Sequence, residues 1–347
     1  MRSLRLLPIF LTSVTSFHTR IEQQPIPNPV PDQMIPVSTD INPPNAVTDI
    51  PPIGLGTWEL RVSPENTTDA VAYAIEAGYR HIDAAMAYNN QEAVGKGIHK
   101  GLKKAGLKRE DIWVTSKLWN DNHGTFEAVE TDFNKTLSLL NLTYLDLYHM
   151  HWPIGHSPDN STFDYLTTWN SMTQLLSTNR VRHLGICNFA PEQLRVLTTS
   201  STVKPYSHQF ELHLYLPQPW WLSWHKRLGI KVTAYSPLGN MNPVYHDRLP
   251  KGQPKLLNHT IVKDIAKRRG CAPAQVVLAW NLQRGVDSVI PKSSHPQWID
   301  ENLRAWECRL LEKDFSKLEG LGEEWESRFN NPSKNWGVQL FKGLDGL

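Results

Sequence analysis

Residues 112–153 read IWVTSKLWNDNHGTFEAVETDFNKTLSLLNLTYLDLYHMHWP. The run Ile112-Trp113-Val114-Thr115 has the apolar, β-branched character of a short strand. Phe126, Val129, Phe133, Leu137 and Leu140 then follow at steps of three and four, which is the spacing of one helix face. A second strand-like run extends from Tyr144 to Tyr148. Strand, helix and strand in that order make a parallel βαβ unit.

The same alternation continues on both sides. Strand-like runs fall at His81-Ile82-Asp83, His183 to Ile186, Ser207 to Phe210, Lys231 to Ala234 and Ser288 to Ile290. Ile53 to Gly56 brings the total to eight. Helical spacing recurs at Val71, Ala74 and Ile75, and again at Val262, Ile265 and Ala266. Eight such units predict an α/β fold of the (β/α)8 TIM-barrel type, whose usual size is roughly 250 residues. An open doubly wound sheet is the alternative, but no GxGxxG turn follows any of the runs. A polar residue stands where each run stops: Thr57, Asp83, Lys117, His151, Asn188, Gln209, Tyr235 and Lys292. In a barrel these ends share one rim, where active sites are built.

Composition narrows the function further. The chain has 347 residues, 40% of them hydrophobic, and a net charge of +2. That balance excludes broad electrostatic capture of nucleic acid. Three distant cysteines, Cys187, Cys271 and Cys308, predict neither a disulfide framework nor a metal knuckle. His151 is the only histidine at the rim, so a metal-dependent hydrolase is disfavoured and no metal is expected. Residues 1–24 read as a targeting or disordered N-terminus. Their apolar stretch is too short to span a bilayer, so no stable membrane insertion is expected. Residues 25–52 hold nine prolines and read as an extended arm, and residues 53–347 form the domain. The expected location is cytoplasmic, with the first 20 residues compatible with a signal or presequence. The expected state is a monomer or weak dimer.

Seven stretches now fall into place together. They are Gly54-Leu55-Gly56-Thr57-Trp58, GYRHIDAAMAYNNQEAVGKGI from Gly78 to Ile98, TSKLW from Thr115 to Trp119, and YLDLYHMHWP from Tyr144 to Pro153. The others are LGICNF from Leu184 to Phe189, AYSPLG from Ala234 to Gly239, and VIPKS from Val289 to Ser293. In order and content the set resembles the aldo-keto reductase superfamily, over essentially all of the chain from Ile53 onward. The resemblance implies NADP(H)-dependent reduction of a small-molecule aldehyde or ketone, or the reverse. It places a catalytic tetrad at Asp83, Tyr88, Lys117 and His151. The chemistry suits these types: a carbonyl oxygen gaining negative charge needs a proton donor within reach. A phenol, with an ordinary pKa of about 10, becomes more acidic beside an ammonium. Tyr88 is read as the donor, Lys117 as the ammonium, Asp83 as its anchor and His151 as the group orienting the carbonyl. A non-catalytic cofactor-sensing module is the competing reading, and retention of all four residues speaks against it.

For the cofactor, the resemblance implies Asn188 and Gln209 at the nicotinamide carboxamide and Tyr235 stacked on the ring. Thr57 and Asp83 fall near the ribose, Ser236 and Leu238 at the pyrophosphate. Lys292 and Ser293 meet the 2′-phosphate, with Glu301 and Asn302 at the adenine. Trp58, Trp119 and Trp152, together with His151, wall the substrate pocket. Two positions depart from the family pattern. Cys187 replaces the usual Ser before Asn188, and Trp298 replaces an Arg that pairs with the 2′-phosphate and stacks on adenine. Trp298 keeps the stacking without the charge, so NADPH use with a reduced preference over NADH is expected.

Overall fold

The computed structural model describes residues 47–60, 63–156 and 162–344. The segment read as residues 1–24 and most of the arm at 25–52 lie outside the described residues. Eight parallel strands form one sheet: β1 (Leu55–Gly56), β2 (His81–Asp83), β3 (Trp113–Leu118), β4 (Leu145–Met150), β5 (Val181–Cys187), β6 (Ser207–Glu211), β7 (Lys231–Tyr235) and β8 (Ser288–Val289). Sheet order follows chain order, and the ends meet through a parallel bridge between Ile53 and Val289. The result is a closed (β/α)8 barrel.

Each of the eight strand readings falls on an observed strand, but β3, β4 and β5 run longer than their apolar runs. On β3 the polar extension is satisfied on both faces of the strand, Ser116 towards the helix Gln91–Ala105 and Lys117 towards the barrel interior. Ser116 is fully buried and donates to Gln91 Oε1 at 2.6 Å, and Lys117 is fully buried among three acceptors described below. Closure also depends on a glycine. The Gly56 amide donates to Pro291 O at 3.0 Å, and a Cβ at position 56 would meet the Ile290 carbonyl oxygen at 2.6 Å. Gly56→Ala is therefore expected to strain the β1–β8 seam and cost about 1–3 kcal/mol of stability. A shift of the urea midpoint to lower denaturant checks this, and an unchanged midpoint would show that the seam relaxes freely.

Helices alternate with the strands. In chain order they are α1 (Pro64–Ala77), α2 (Gln91–Ala105), α3 (Phe126–Leu140), α4 (Tyr165–Gln174) and α5 (Pro191–Ser200). They continue as α6 (Pro219–Leu228), α7 (Thr260–Arg269), α8 (Pro273–Gln283), α9 (Pro296–Leu303) and α10 (Glu312–Trp325). α3 shows how the sequence sets an element. Thr125 caps its start by accepting from the Ala128 amide at 3.3 Å, and Asn141 ends it in the left-handed region. Val129, Phe133 and Leu140 are fully buried against the sheet.

Residues 47–52 lie against the N-terminal ends of the strands. Val47 and Ile50 pack on Trp113 and Leu147, and Asp49 pairs with Lys231 at 2.9 Å. One expectation fails here. Cys271 and Cys308 form a disulfide, with Cα atoms 5.8 Å apart across a separation of 37 residues. Cys271 lies just before α8, and Cys308 just after the 3-10 turn Arg304–Glu307 that packs on α8. Helix packing joins what the linear spacing kept apart, and Cys187 is left as a buried free thiol. Among the described residues no helix is long and apolar enough to cross a membrane, and no cluster of His, Cys, Asp or Glu could hold a metal.

Candidate active site

Three side chains from neighbouring elements meet at the C-terminal rim. Asp83 ends β2, and its register partner on β3 is Thr115. Lys117 lies two residues beyond Thr115, so its side chain points to the same face one step nearer the rim. The Lys117 ammonium donates to Asp83 Oδ2 at 2.6 Å, to Ala84 O at 2.9 Å and to the Tyr88 hydroxyl at 3.1 Å. All three of its donors are used. Tyr88 reaches this point from the short 3-10 turn Met86–Tyr88 that follows β2. Asp83 is held at its other oxygen by Gln209 Nε2 at 2.9 Å, while Thr57 donates to the Asp83 backbone carbonyl at 2.8 Å. An ion pair this deeply buried is stable only when its remaining lone pairs and protons are occupied. Here they are.

The expected acidification of Tyr88 is not what the site produces. Burial, and then the Asp83 carboxylate, push the phenol well above its ordinary range, outweighing the adjacent ammonium. Asp83 neutralises much of the charge that the sequence reading assigned to Lys117 alone. The phenol is thus held protonated, the state a proton donor needs.

His151 follows β4, and its amide donates to Leu118 O at 3.1 Å. Its ring meets Tyr88 edge-on at 5.7 Å and Trp119 at 5.2 Å. Burial, reinforced by the nearby Lys117 charge, drives the imidazole well below its usual pKa. It is a neutral ring carrying one N–H at ordinary pH.

Above these groups lies a cavity of about 1250 Å³. Of the sequence-predicted residues, only Thr57 and Lys117 are absent from its lining. Asn188 Nδ2 donates to His151 O at 3.0 Å, and Tyr235 donates to Asn188 Oδ1 at 2.8 Å. Asn188 and Ser236 both take the left-handed backbone region, with φ of 61° and 46°. Such conformations in non-glycine residues cluster at functional sites. Further along the cavity, Lys292 is half-buried, and burial lowers its pKa. Ser293 accepts from the His295 amide at 3.0 Å. Asn302 is buried, Glu301 is partly exposed, and Trp298 stands 52% exposed beside the His295 ring. Leu238 completes this wall.

Sequence reasoning missed several lining residues, among them Tyr245, Asn330 and Lys263. Tyr245 meets Trp58 in a tilted ring contact at 5.7 Å and hydrogen bonds Ser236 at 2.8 Å. Asn330 donates to the Tyr235 hydroxyl at 3.1 Å. Lys263 comes from α7. None ends a strand, so the rim pattern held no signal for them. The C-terminal stretch folds across the mouth, with Trp336 edge-on to Trp152 at 5.0 Å and to Trp119 at 6.1 Å. Phe341 meets Trp152 at 6.0 Å.

The family model described as Aldo/keto reductase family matches residues 52–323. The chain belongs to the aldo/keto reductase family. An uncharacterized oxidoreductase of Schizosaccharomyces pombe is 40% identical to this reductase over 311 residues, covering 85% of this chain and 92% of the relative. Among solved structures, a Bombyx mori aldo-keto reductase in complex with NADP superposes with a TM-score of 0.76 at 31% identity. That match covers 84% of this chain and 95% of the other. Aldose reductase from Giardia lamblia gives 0.76 at 34% identity, covering 85% and 100%. This aldo/keto reductase is an NAD(P)H-dependent oxidoreductase that reduces an aldehyde or ketone to an alcohol.

Proposed function

We propose that the reductase works with NADP(H), with Tyr88 as general acid and base, on carbonyl compounds that carry an apolar or aromatic body. The observation that carries this reading is the hydrogen-bonded chain from Asp83 through Lys117 to Tyr88, ending in a large tryptophan-walled cavity. The donor set fits a dinucleotide. A half-buried cation and a serine stand at one end, and amides with a tyrosine ring stand near Tyr88.

A bound dihydronicotinamide supplies the hydride. Tyr88 donates its proton to the carbonyl oxygen as charge grows there. Lys117, fixed by Asp83, steadies the phenolate left behind. His151, being neutral, offers an N–H that orients the carbonyl and partly polarises it. Trp58, Trp119 and Trp152 pack around the substrate and exclude water, which strengthens each of these electrostatic contacts. Asn188, Gln209 and Tyr235 hold the nicotinamide, Thr57 and Asp83 its ribose, Ser236 and Leu238 the pyrophosphate. Lys292 and Ser293 receive the 2′-phosphate, and Trp298, Glu301 and Asn302 the adenine. The protein acts as a monomer or weak dimer. A cytoplasmic location fits the even charge and the short N-terminal apolar run, but the Cys271–Cys308 disulfide favours an oxidising compartment.

A panel of aromatic, aliphatic and sugar aldehydes and ketones, assayed with each cofactor, tests the reading. We expect the highest kcat/KM for apolar aldehydes with NADPH, and slower turnover with NADH. A clear NADH preference would remove NADP(H) from the assignment, and a flat response to side-chain polarity would remove the apolar substrate class.

A further inference from the structure

The departure at Trp298 leaves an electrostatic deficit. A ribose 2′-phosphate near pH 7 carries close to two negative charges. At that end of the cavity Lys292 contributes one positive charge, while Glu301 and Glu59, whose charge acts on Lys292, contribute two negative. The negative charges outnumber the positive one, so these three side chains alone give no ground for choosing a cofactor that carries the phosphate over one that lacks it. Some other group must supply positive charge if the choice is made electrostatically.

Among the described residues the cavity wall includes three lysine or arginine side chains: Lys135, Lys263 and Lys292. Lys135 belongs to α3, where it lies near Asp132, and α3 sits across the barrel from β8. Lys263 is different. It lies in the first turn of α7, where its amide donates to His259 O at 3.0 Å. The cavity wall around it includes Asn258 just before that helix and Ala272 to Ala274 at the start of α8, and α8 packs on α9, which carries Trp298 and Glu301. The Lys263 side chain is exposed, and no ion pair holds it among the described residues. Its neighbour Val262 is fully buried and anchors the helix turn that carries it. A long flexible ammonium on a fixed turn, open to the cavity, suits a phosphate that arrives as a point-like dianion.

We infer that Lys263 is a second 2′-phosphate-binding residue, supplying from α7 the charge that position 298 lacks. The inference rests on the NADP(H) reading above. With Lys263 the two lysines balance Glu59 and Glu301, and cations on two different elements, α7 and the β8–α9 loop, are available to meet the phosphate. Two separated lysines give weaker geometric control than one bidentate guanidinium. The preference for NADPH should therefore be real but modest and sensitive to salt.

Calorimetric titration with adenosine 2′,5′-bisphosphate and with 5′-ADP tests this without turnover. The wild-type protein should bind the bisphosphate more tightly. Lys263→Gln should reduce that discrimination by about tenfold, close to the loss of one charge-assisted contact. Lys263→Arg should restore most of it, and raising salt should shrink the wild-type advantage more than that of Lys263→Gln. Equal binding of both nucleotides by the wild-type protein would overturn the NADP(H) reading itself. Discrimination that survives in Lys263→Gln, or a loss of affinity equal for both nucleotides, would overturn only the role of Lys263.

Discussion

Tyr88→Phe is expected to lose about 100- to 10,000-fold in kcat for carbonyl reduction, the range spanned by removal of a positioned general acid. The substitution deletes one oxygen and keeps the ring that packs edge-on against His151. Lys117 loses one of three acceptors but retains Asp83 Oδ2 and Ala84 O, so the local network stays largely satisfied. A net cost of about 1 kcal/mol in stability is the expected scale for such a loss, and the protein should fold. Nucleotide affinity, read by quenching of tryptophan fluorescence, should change less than about threefold, since the hydroxyl is assigned to the substrate side. Activity and binding therefore separate. Burial pushes Tyr88 well above the usual phenol range. A proton held this firmly leaves only as the carbonyl oxygen becomes strongly basic, so the donor matters most at the transition state. If Tyr88→Phe turned over at near wild-type kcat, another group or a water molecule would have to be the acid.

Much of the barrel and of this site was legible because barrels place polar residues at strand ends in a regular order. Asp83, Lys117, Asn188, Gln209 and Tyr235 each follow or end an apolar run, and the fold collects them at one rim. Legibility failed wherever the decisive relation was not periodic. The disulfide joins two loops that only helix packing brings together. Tyr245 and Asn330 reach the cavity from irregular segments with no apolar run before them. The direction of the Tyr88 shift failed for another reason. The sequence supplies the ammonium and the carboxylate, but not the depth of burial, and in a dry site desolvation exceeds the pull of a cation already paired. The polar end of β3 likewise looked like a strand terminus, although buried partners let the strand continue.

Lys117→Met should be damaging in two separable ways. The methionine fills similar volume but carries no charge, so the buried Asp83 carboxylate keeps only its bond from Gln209. Removing one partner of a buried pair typically costs about 3–5 kcal/mol, because the remaining charge is left uncompensated. A large fall in the urea midpoint is expected. Turnover should also drop by about 100-fold or more, since the phenolate formed at Tyr88 would face no cation. The two effects are distinguished by adding Asp83→Asn to the same chain. The double substitution removes the orphaned charge and still allows Gln209 a neighbouring acceptor, so much of the stability should return. Turnover should not, because the cation next to Tyr88 is still missing. Recovery of both together would mean that Lys117 serves only to neutralise Asp83, and that the 3.1 Å contact to Tyr88 has no part in the chemistry. Recovery of stability alone assigns Lys117 two roles through one ammonium: a counter-ion that lets Asp83 be buried, and the positive charge that lets a phenol give up its proton.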